Sequence, residues 1–104
     1  MNSSKAKGSR IEREIVNRHK DMGVDAERVP LSGAAGGSYT GDVIILGTFR
    51  SEVKARKSGS GFVTLEKWMG DNDLLFLRRD NALPMVCMTW EVYSRLIKNL
   101  ARDI

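Results

Sequence analysis

The sequence predicts an α/β (α+β) fold, with a mixed central β-sheet flanked by helices in the order α-β-β-β-α-β-β-α. Apolar residues recur at helical spacing in residues 10–22 and 90–104. Between these segments lie short apolar or alternating runs of strand length, among them DVIILG (42–47) and FRSEVKA (49–55). Glycine-containing stretches separate the runs, as expected for turns. Helices and strands therefore share one sheet-based layer structure.

The first helix is predicted over residues 10–22, after a basic N-terminal arm (1–8) that we expect to be mobile. Ser9 is its expected N-cap, with Glu12 three residues later as the capping-box partner. Gly23 ends it. The apolar residues lie three to four positions apart, which places Glu12 at the edge of the buried face.

Three short strands follow the first helix. They are predicted at 25–29, 42–47 and 49–55. Pro30 ends the first strand, and the glycine-rich stretch 31–41 is a flexible loop without periodicity. A tight turn at Gly47-Thr48 makes the second and third strands a hairpin.

The second half of the chain alternates helix, hairpin and helix. After a KSGSG loop (57–61), we expect a short helix ended by Gly70, strands at 74–79 and 85–89, and a helix over 90–104. The last helix carries apolar residues at alternating three- and four-residue steps, which pack either on the sheet or against a second subunit. Trp68 and Trp90 are interpreted as core or interface residues rather than as platforms for base stacking.

Size and composition indicate one soluble globular domain over residues 1–104. No apolar run has the length of a membrane span, and the N-terminus lacks the apolar segment of a secretory signal. A single cysteine, Cys87, excludes an internal disulfide and favours the cytoplasm, or the host-cell cytoplasm for a viral protein. The net charge of +4 lies in residues 1–57, which indicates either a polyanionic partner or a charge that serves solubility.

Four charged residues fall close together in the predicted fold: Glu12, Asp42, Glu52 and Lys54. Asp42 and Glu52 are at similar distances from the hairpin turn, so strand pairing places them side by side. Lys54 lies on the same face as Glu52, roughly 6.6–6.8 Å along the strand. Glu12 approaches from the helix edge.

This set suits metal-dependent phosphodiester hydrolysis. Two adjacent carboxylates repel each other unless a cation lies between them, and their hard oxygens suit Mg²⁺, with Mn²⁺ as a substitute. A metal lowers the pKa of its bound water and neutralises charge on the phosphorus oxygens. Lys54 would orient the water or steady a phosphate, and Glu12 would support a second metal or its water. The alternative is an exposed strand with alternating charges and no catalysis.

Several motifs occur in an order that resembles a known family. They are KGSRIEREI (7–15), Arg28, Ser32-Gly33, Gly41-Asp42-Val43-Ile44 and Glu52-Val53-Lys54. This series resembles the archaeal-type Holliday junction resolvases of the PD-(D/E)XK nuclease superfamily. The resemblance implies a restriction-endonuclease-like fold, four-way DNA junctions as substrate, Mg²⁺ as cofactor and a homodimer. Such enzymes serve DNA recombination and repair.

The resemblance also implies a role for each matching position. Glu12 would be the helix-borne acid at the metal site. Asp42 and Glu52 would bind metal with the Val53 carbonyl, and Lys54 would position the water. Other residues would contact DNA: Arg13 and Arg28 would hold phosphates near the scissile bond, and Ser32 would lie in a mobile loop near the cleaved strand. Independently of the resemblance, basic side chains elsewhere are expected to contact phosphates; these are Lys5, Lys7, Arg10, Arg50, Arg56 and Lys57.

Two other functions stay open from the sequence. One is another PD-(D/E)XK nuclease, from a phage or mobile element, that cuts nicks, flaps or duplex DNA with the same catalytic residues. The other is a basic DNA-binding module that keeps the fold and has no catalytic activity. Cleavage of linear duplex distinguishes the first, and the absence of divalent-metal binding distinguishes the second.

Overall fold

The computed structural model describes residues 3–29 and 42–103, with side chains from residue 8 onward. The helices are α1 (Ser3–Asp21), α2 (Ser60–Met69) and α3 (Trp90–Arg102), and the strands are β1 (Ala26–Arg28), β2 (Val43–Ile45), β3 (Phe49–Ser51), β4 (Leu74–Leu77) and β5 (Met85–Met88). The α+β class and the order α-β-β-β-α-β-β-α predicted from the sequence are confirmed. None of the helices in the described ranges has the length and apolarity that a bilayer crossing requires.

The described residues fall into two compact units. One lies within Met1–Ala55 and Ala101–Ile104, and the other lies within Arg56–Leu100. The single domain expected over 1–104 stays a prediction.

The first unit contains α1 and an antiparallel sheet in the order β1-β2-β3. The central strand, β2, is buried along its whole length because a strand between two neighbours is covered at both edges and packs apolar side chains on its faces. Val43 has no exposed surface. The strand pairs Arg28 with Val43 on one side and Val43 with Ser51 on the other. This register sets the positions of the charged residues at the end of the sheet.

The turn between β2 and β3 confirms the predicted hairpin. The Thr48 amide donates a hydrogen bond of 3.1 Å to the Ile45 carbonyl. Leu46 and Gly47 have φ values of 55° and 65°, the left-handed pair that a type I′ turn requires. Gly47 adopts this conformation without a side-chain clash. The tight turn fixes the register of the hairpin and thus which residues face each other at its open end.

The second unit contains α2, the β4–β5 hairpin and most of α3. Leu74 pairs with Met88 and Leu77 pairs with Met85, so four apolar pairs run along the hairpin. The amide of Val92 donates to Thr89 Oγ1 at 3.3 Å, which caps the start of α3. Few side chains of this unit are buried, and several large apolar residues are exposed.

The structure corrects three details of the sequence prediction. Helix α1 begins at Ser3, so residues 3–8 are helical and Ser9 lies inside the helix instead of capping it. The ladder of β3 ends at Ser51 and does not include residues 52–55. Within residues 3–29 and 42–103, the strands form two antiparallel sheets rather than one mixed sheet. The β2–β3 and β4–β5 pairs follow short connections, which close with little loss of chain entropy. The predicted loop 31–41 lies outside the described residues.

Candidate active site

Asp42 precedes β2 and makes backbone hydrogen bonds to residues at the ends of both neighbouring strands. Its amide donates to the Ser51 carbonyl at 2.7 Å, and its carbonyl accepts from the Val29 amide at 3.0 Å. Its side-chain Oδ2 accepts a hydrogen bond of 2.8 Å from the Val53 amide. The carboxylate is therefore held against the peptide that links Glu52 to Val53. A half-buried carboxylate is costly without such a partner, and this amide supplies one.

Glu52 and Lys54 continue the alternation beyond the end of the β3 ladder. Both side chains are exposed, whereas Val53 and Ala55 are half-buried. Lys54 Nζ lies 3.4 Å from Glu52 Oε2, so the two charges lie on the same face, as the sequence predicted. An exposed ion pair of this kind contributes little to stability. Glu52 and Lys54 can therefore give up this ion pair to bind a metal ion or a phosphate at a small cost in free energy.

Glu12 lies in a second polar cluster, between α1 and β1. Arg28 Nε donates to Glu12 Oε1 at 3.1 Å, and Arg28 Nη2 donates to Ser9 Oγ at 3.2 Å. The Glu12 and Arg28 side chains are 15% and 28% exposed, so this pair is more protected from water than an ordinary surface pair. Because Arg28 pairs with Val43 in the sheet, the cluster stands beside the strand end that carries Asp42.

Carboxylate oxygens such as those of Asp42 and Glu52 are ligands that suit a hard divalent cation. No group of three or more His, Cys, Asp or Glu side chains among the described residues is arranged to hold a metal. Mg²⁺ does not need such a group, since it binds one or two carboxylates, substrate phosphates and several waters. Asp42 and Glu52 each offer a carboxylate, and Val53 offers a backbone carbonyl, as candidate oxygen ligands. That Asp42, Glu52, Val53 and Glu12 bind a metal ion together stays a prediction.

Comparison with known proteins places the chain in a family. The model of the archaeal Holliday junction resolvase (Hjc) family matches residues 3–87. This chain belongs to the Hjc family. A curated relative, the crossover junction endodeoxyribonuclease Hjc of Sulfurisphaera tokodaii, is 37% identical over 82 residues. That match includes 76% of this chain and 56% of the relative, so the chain spans little more than half the relative's length. No solved structure matches the chain.

The family match extends further than the motifs seen in the sequence. Those motifs cover residues 7–57, and the Hjc model continues through α2 to β5. The matched range includes Glu12, Asp42, Glu52 and Lys54. It stops before α3.

The expected DNA-binding residues are distributed over both units. Arg10 and Arg13 are exposed on α1, and Arg56 and Lys57 are exposed in the second unit. Ser32 and the side chains of Lys5 and Lys7 lie outside the described residues. Arg28 is half-buried in its contacts with Glu12 and Ser9, which hold its guanidinium near the sheet end.

Sequence reasoning missed the contact of Ser9 with Arg28. Ser9 and Glu12 are three residues apart, so one helix face presents both to Arg28. The three-residue spacing of Ser9 and Glu12 is visible in the sequence, where it is interpreted as a capping box at the start of the helix. His19 is fully buried, and its Nδ1 lies 2.7 Å from the Ile15 carbonyl, which makes it a packing residue of α1 rather than a site residue.

Proposed function

We propose that this chain is an endonuclease that resolves four-way DNA junctions by divalent-metal-dependent hydrolysis of phosphodiester bonds. The observation that carries the proposal is the Asp42 carboxylate on the Val53 amide, next to the Glu52–Lys54 pair. Membership of the Hjc family supports the same function. The resemblance of the sequence motifs to this family also implies a divalent metal.

Asp42, Glu52 and the Val53 carbonyl are the proposed ligands of Mg²⁺, for which Mn²⁺ would substitute. When bound, the cation supplies an acidified water and neutralises charge on the phosphate. The hydrogen bond from the Val53 amide fixes the rotamer of the Asp42 carboxylate before any ligand arrives. Pre-positioning of this kind lowers the cost of assembling the site.

Lys54 and the α1–β1 cluster complete the proposed machinery. The Lys54 ammonium leaves its exposed partner Glu52 and orients the attacking water or a phosphate oxygen. Arg28 holds a phosphate near the scissile bond, and Glu12 and Ser9 keep its guanidinium in one orientation. Glu12 is itself the proposed helix-borne acid of the metal site. These roles follow the positions that the family motifs give.

The remaining partners of the proposal are DNA and a second copy of the chain. Exposed cations on α1, including Arg10 and Arg13, are suited to backbone phosphates, and binding should weaken with salt. A four-way junction has two strands to cut, so a symmetric homodimer places one active site on each. The single cysteine is consistent with action in the cytoplasm.

The test is cleavage and binding of a synthetic immobile four-way junction, with and without Mg²⁺. Asp42→Asn and Glu52→Gln are expected to lower cleavage about 100-fold or more and to retain most junction binding, because charge is lost only at the metal site. Asp25→Asn and Glu27→Gln are matched controls in the same unit, with exposed side chains. They should cut at the parent rate.

The outcomes separate the three functions that the sequence left open. Full activity of either site variant would refute the proposed site. Comparable cutting of linear duplex and junction would favour a less selective nuclease of the same superfamily. If no substrate were cut and calorimetry detected no Mg²⁺ or Mn²⁺ binding, the chain would be a DNA-binding module.

A further inference from the structure

A groove in the second unit combines an exposed indole, an apolar floor and two arginines. Leu65 and Trp68 are three residues apart, so they share one face of α2. The cross-strand pair Leu77 and Met85 also lines the groove. Its volume is about 470 Å³. Trp68 is 58% exposed, so of the two roles expected for it, core or interface, burial in the core of this unit is wrong.

Two adjacent cations, Arg78 and Arg79, also line this groove. They follow β4 directly, where the chain leaves the ladder and turns. Neither guanidinium takes part in an ion pair with a residue in the described ranges. Among the residues that the structure describes, none that lines the groove is acidic. The groove therefore offers an aromatic face and positive charge to the same ligand.

We infer that this groove binds an unpaired nucleotide of the DNA substrate, with the base stacked on Trp68 and its phosphates on Arg78 and Arg79. Stacking on an aromatic side chain needs an exposed base face, which paired bases inside a duplex do not offer. Unpaired nucleotides do offer it, and their phosphates match the guanidinium geometry. The groove volume is within the range of small-ligand sites.

The main competing occupant is an apolar surface of a second copy of the chain. Such a surface would cover Trp68 and Met85, but it would also remove Arg78 and Arg79 from water without a phosphate to pair with them. Desolvating unpaired guanidinium groups is strongly unfavourable. Charge complementarity therefore favours the nucleotide. That the nucleotide belongs to DNA rests on the proposed function, whereas the stacking geometry does not.

The chain has two tryptophans, so each can be made the sole fluorophore. The Trp90→Phe variant reports on Trp68, and the Trp68→Phe variant, which reports on Trp90, is the matched control. Each is titrated with an eight-nucleotide oligothymidylate and with an abasic oligomer of the same length, which has the charge but no bases. Circular dichroism verifies that both variants are folded.

We expect oligothymidylate to quench Trp68 emission, the abasic oligomer to leave it unchanged, and Trp90 emission to stay constant. Trp68→Ala should weaken oligothymidylate binding about 5- to 150-fold, which is the usual contribution of one stacked base. Arg78→Gln with Arg79→Gln should weaken binding of both oligomers, and the weakening should diminish at high salt.

Two results would overturn the inference. One is Trp68 emission that oligothymidylate leaves unchanged. The other is a blue shift of Trp68 emission that grows with protein concentration and that DNA does not reverse, which would assign the groove to a second copy. The titration does not depend on cleavage. Loss of quenching with junction cleavage intact would refute the groove alone, and quenching without cleavage would refute the proposed function alone.

Discussion

The ion pair between Glu12 and Arg28 leads to a prediction with a built-in control. Two glutamates of helix α1 form Glu–Arg pairs of nearly the same length: Glu12 with Arg28 of β1 at 3.1 Å, and Glu14 with Arg18 of the same helix at 3.2 Å. They differ in exposure: the first pair is 15% and 28% exposed, and the second is 49% and 52% exposed. Replacing each glutamate by glutamine removes one charge from the same helix with little change in size or helix propensity.

The expected difference follows from the exposure. At 3.1 Å, Coulomb attraction is about 5 kcal/mol at an effective dielectric constant of ~20 and about 1 kcal/mol in bulk water. The cost of removing the two charges from water offsets part of the attraction of about 5 kcal/mol. Hydrogen bonds to charged groups contribute about 1.5–3 kcal/mol net to stability. Glu12→Gln should therefore lower the free energy of unfolding by about 1.5–3 kcal/mol. Glu14→Gln should lower it by about 0.3–0.5 kcal/mol, as for exposed pairs within a helix.

Urea denaturation of the two variants and the parent protein measures this difference, with 1 M salt as a second condition. Salt should reduce the effect of Glu14→Gln and leave that of Glu12→Gln largely unchanged, because partly buried charges are screened less. A double-mutant cycle that combines Glu12→Gln with Arg28→Gln isolates the coupling between the two side chains. We expect a coupling of about 1–2 kcal/mol.

Equal destabilisation by the two substitutions would refute this reasoning, since it would show that exposure does not decide the strength of the pair. A coupling near zero in the cycle would do the same, because the cost of Glu12→Gln would then have another origin. Junction cleavage by Glu12→Gln, measured at equal folded fraction, tests its catalytic role separately.

Two further predictions concern the two units. Val43→Ala should lower the free energy of unfolding by about 2–3 kcal/mol, because it opens a cavity at the fully buried central strand. Val63→Ala, at an exposed position of α2, should change the free energy of unfolding by less than about 0.5 kcal/mol. Equal losses for the two variants in urea denaturation would contradict the assigned core. Burial raises the pKa of the Tyr93 phenol above its ordinary value of 10.0. Its contribution to stability is complete below about pH 10 and is lost as the pH rises through the folded pKa. With Tyr39→Phe removing the other tyrosine, the ultraviolet titration of the phenolate should have its midpoint above 10, and a midpoint at or below 10 would exclude the burial effect.

Local sequence signals determined the elements and the hairpin that supports the candidate site. The apolar spacing identified α1, the glycine turn fixed the register of β2 and β3, and alternation in SEVKARK placed Glu52 and Lys54 on one face. These features depend on residues close in sequence, for which periodicity and turn chemistry are sufficient. The same signals predicted Asp42 and Glu52 side by side. In the structure the Asp42 carboxylate accepts a hydrogen bond from the amide of Val53, the residue after Glu52.

Tertiary structure alone decided the contacts between distant segments. The sequence does not indicate that Arg28, 16 residues after Glu12, would hold that carboxylate together with Ser9. Nor does its pattern separate an indole that packs in a core from one that stays exposed, as Trp68 does. Periodicity specifies which face of an element is apolar but not which other element covers that face. The partner is chosen by packing and charge pairing across the whole chain, and these are properties of the folded molecule.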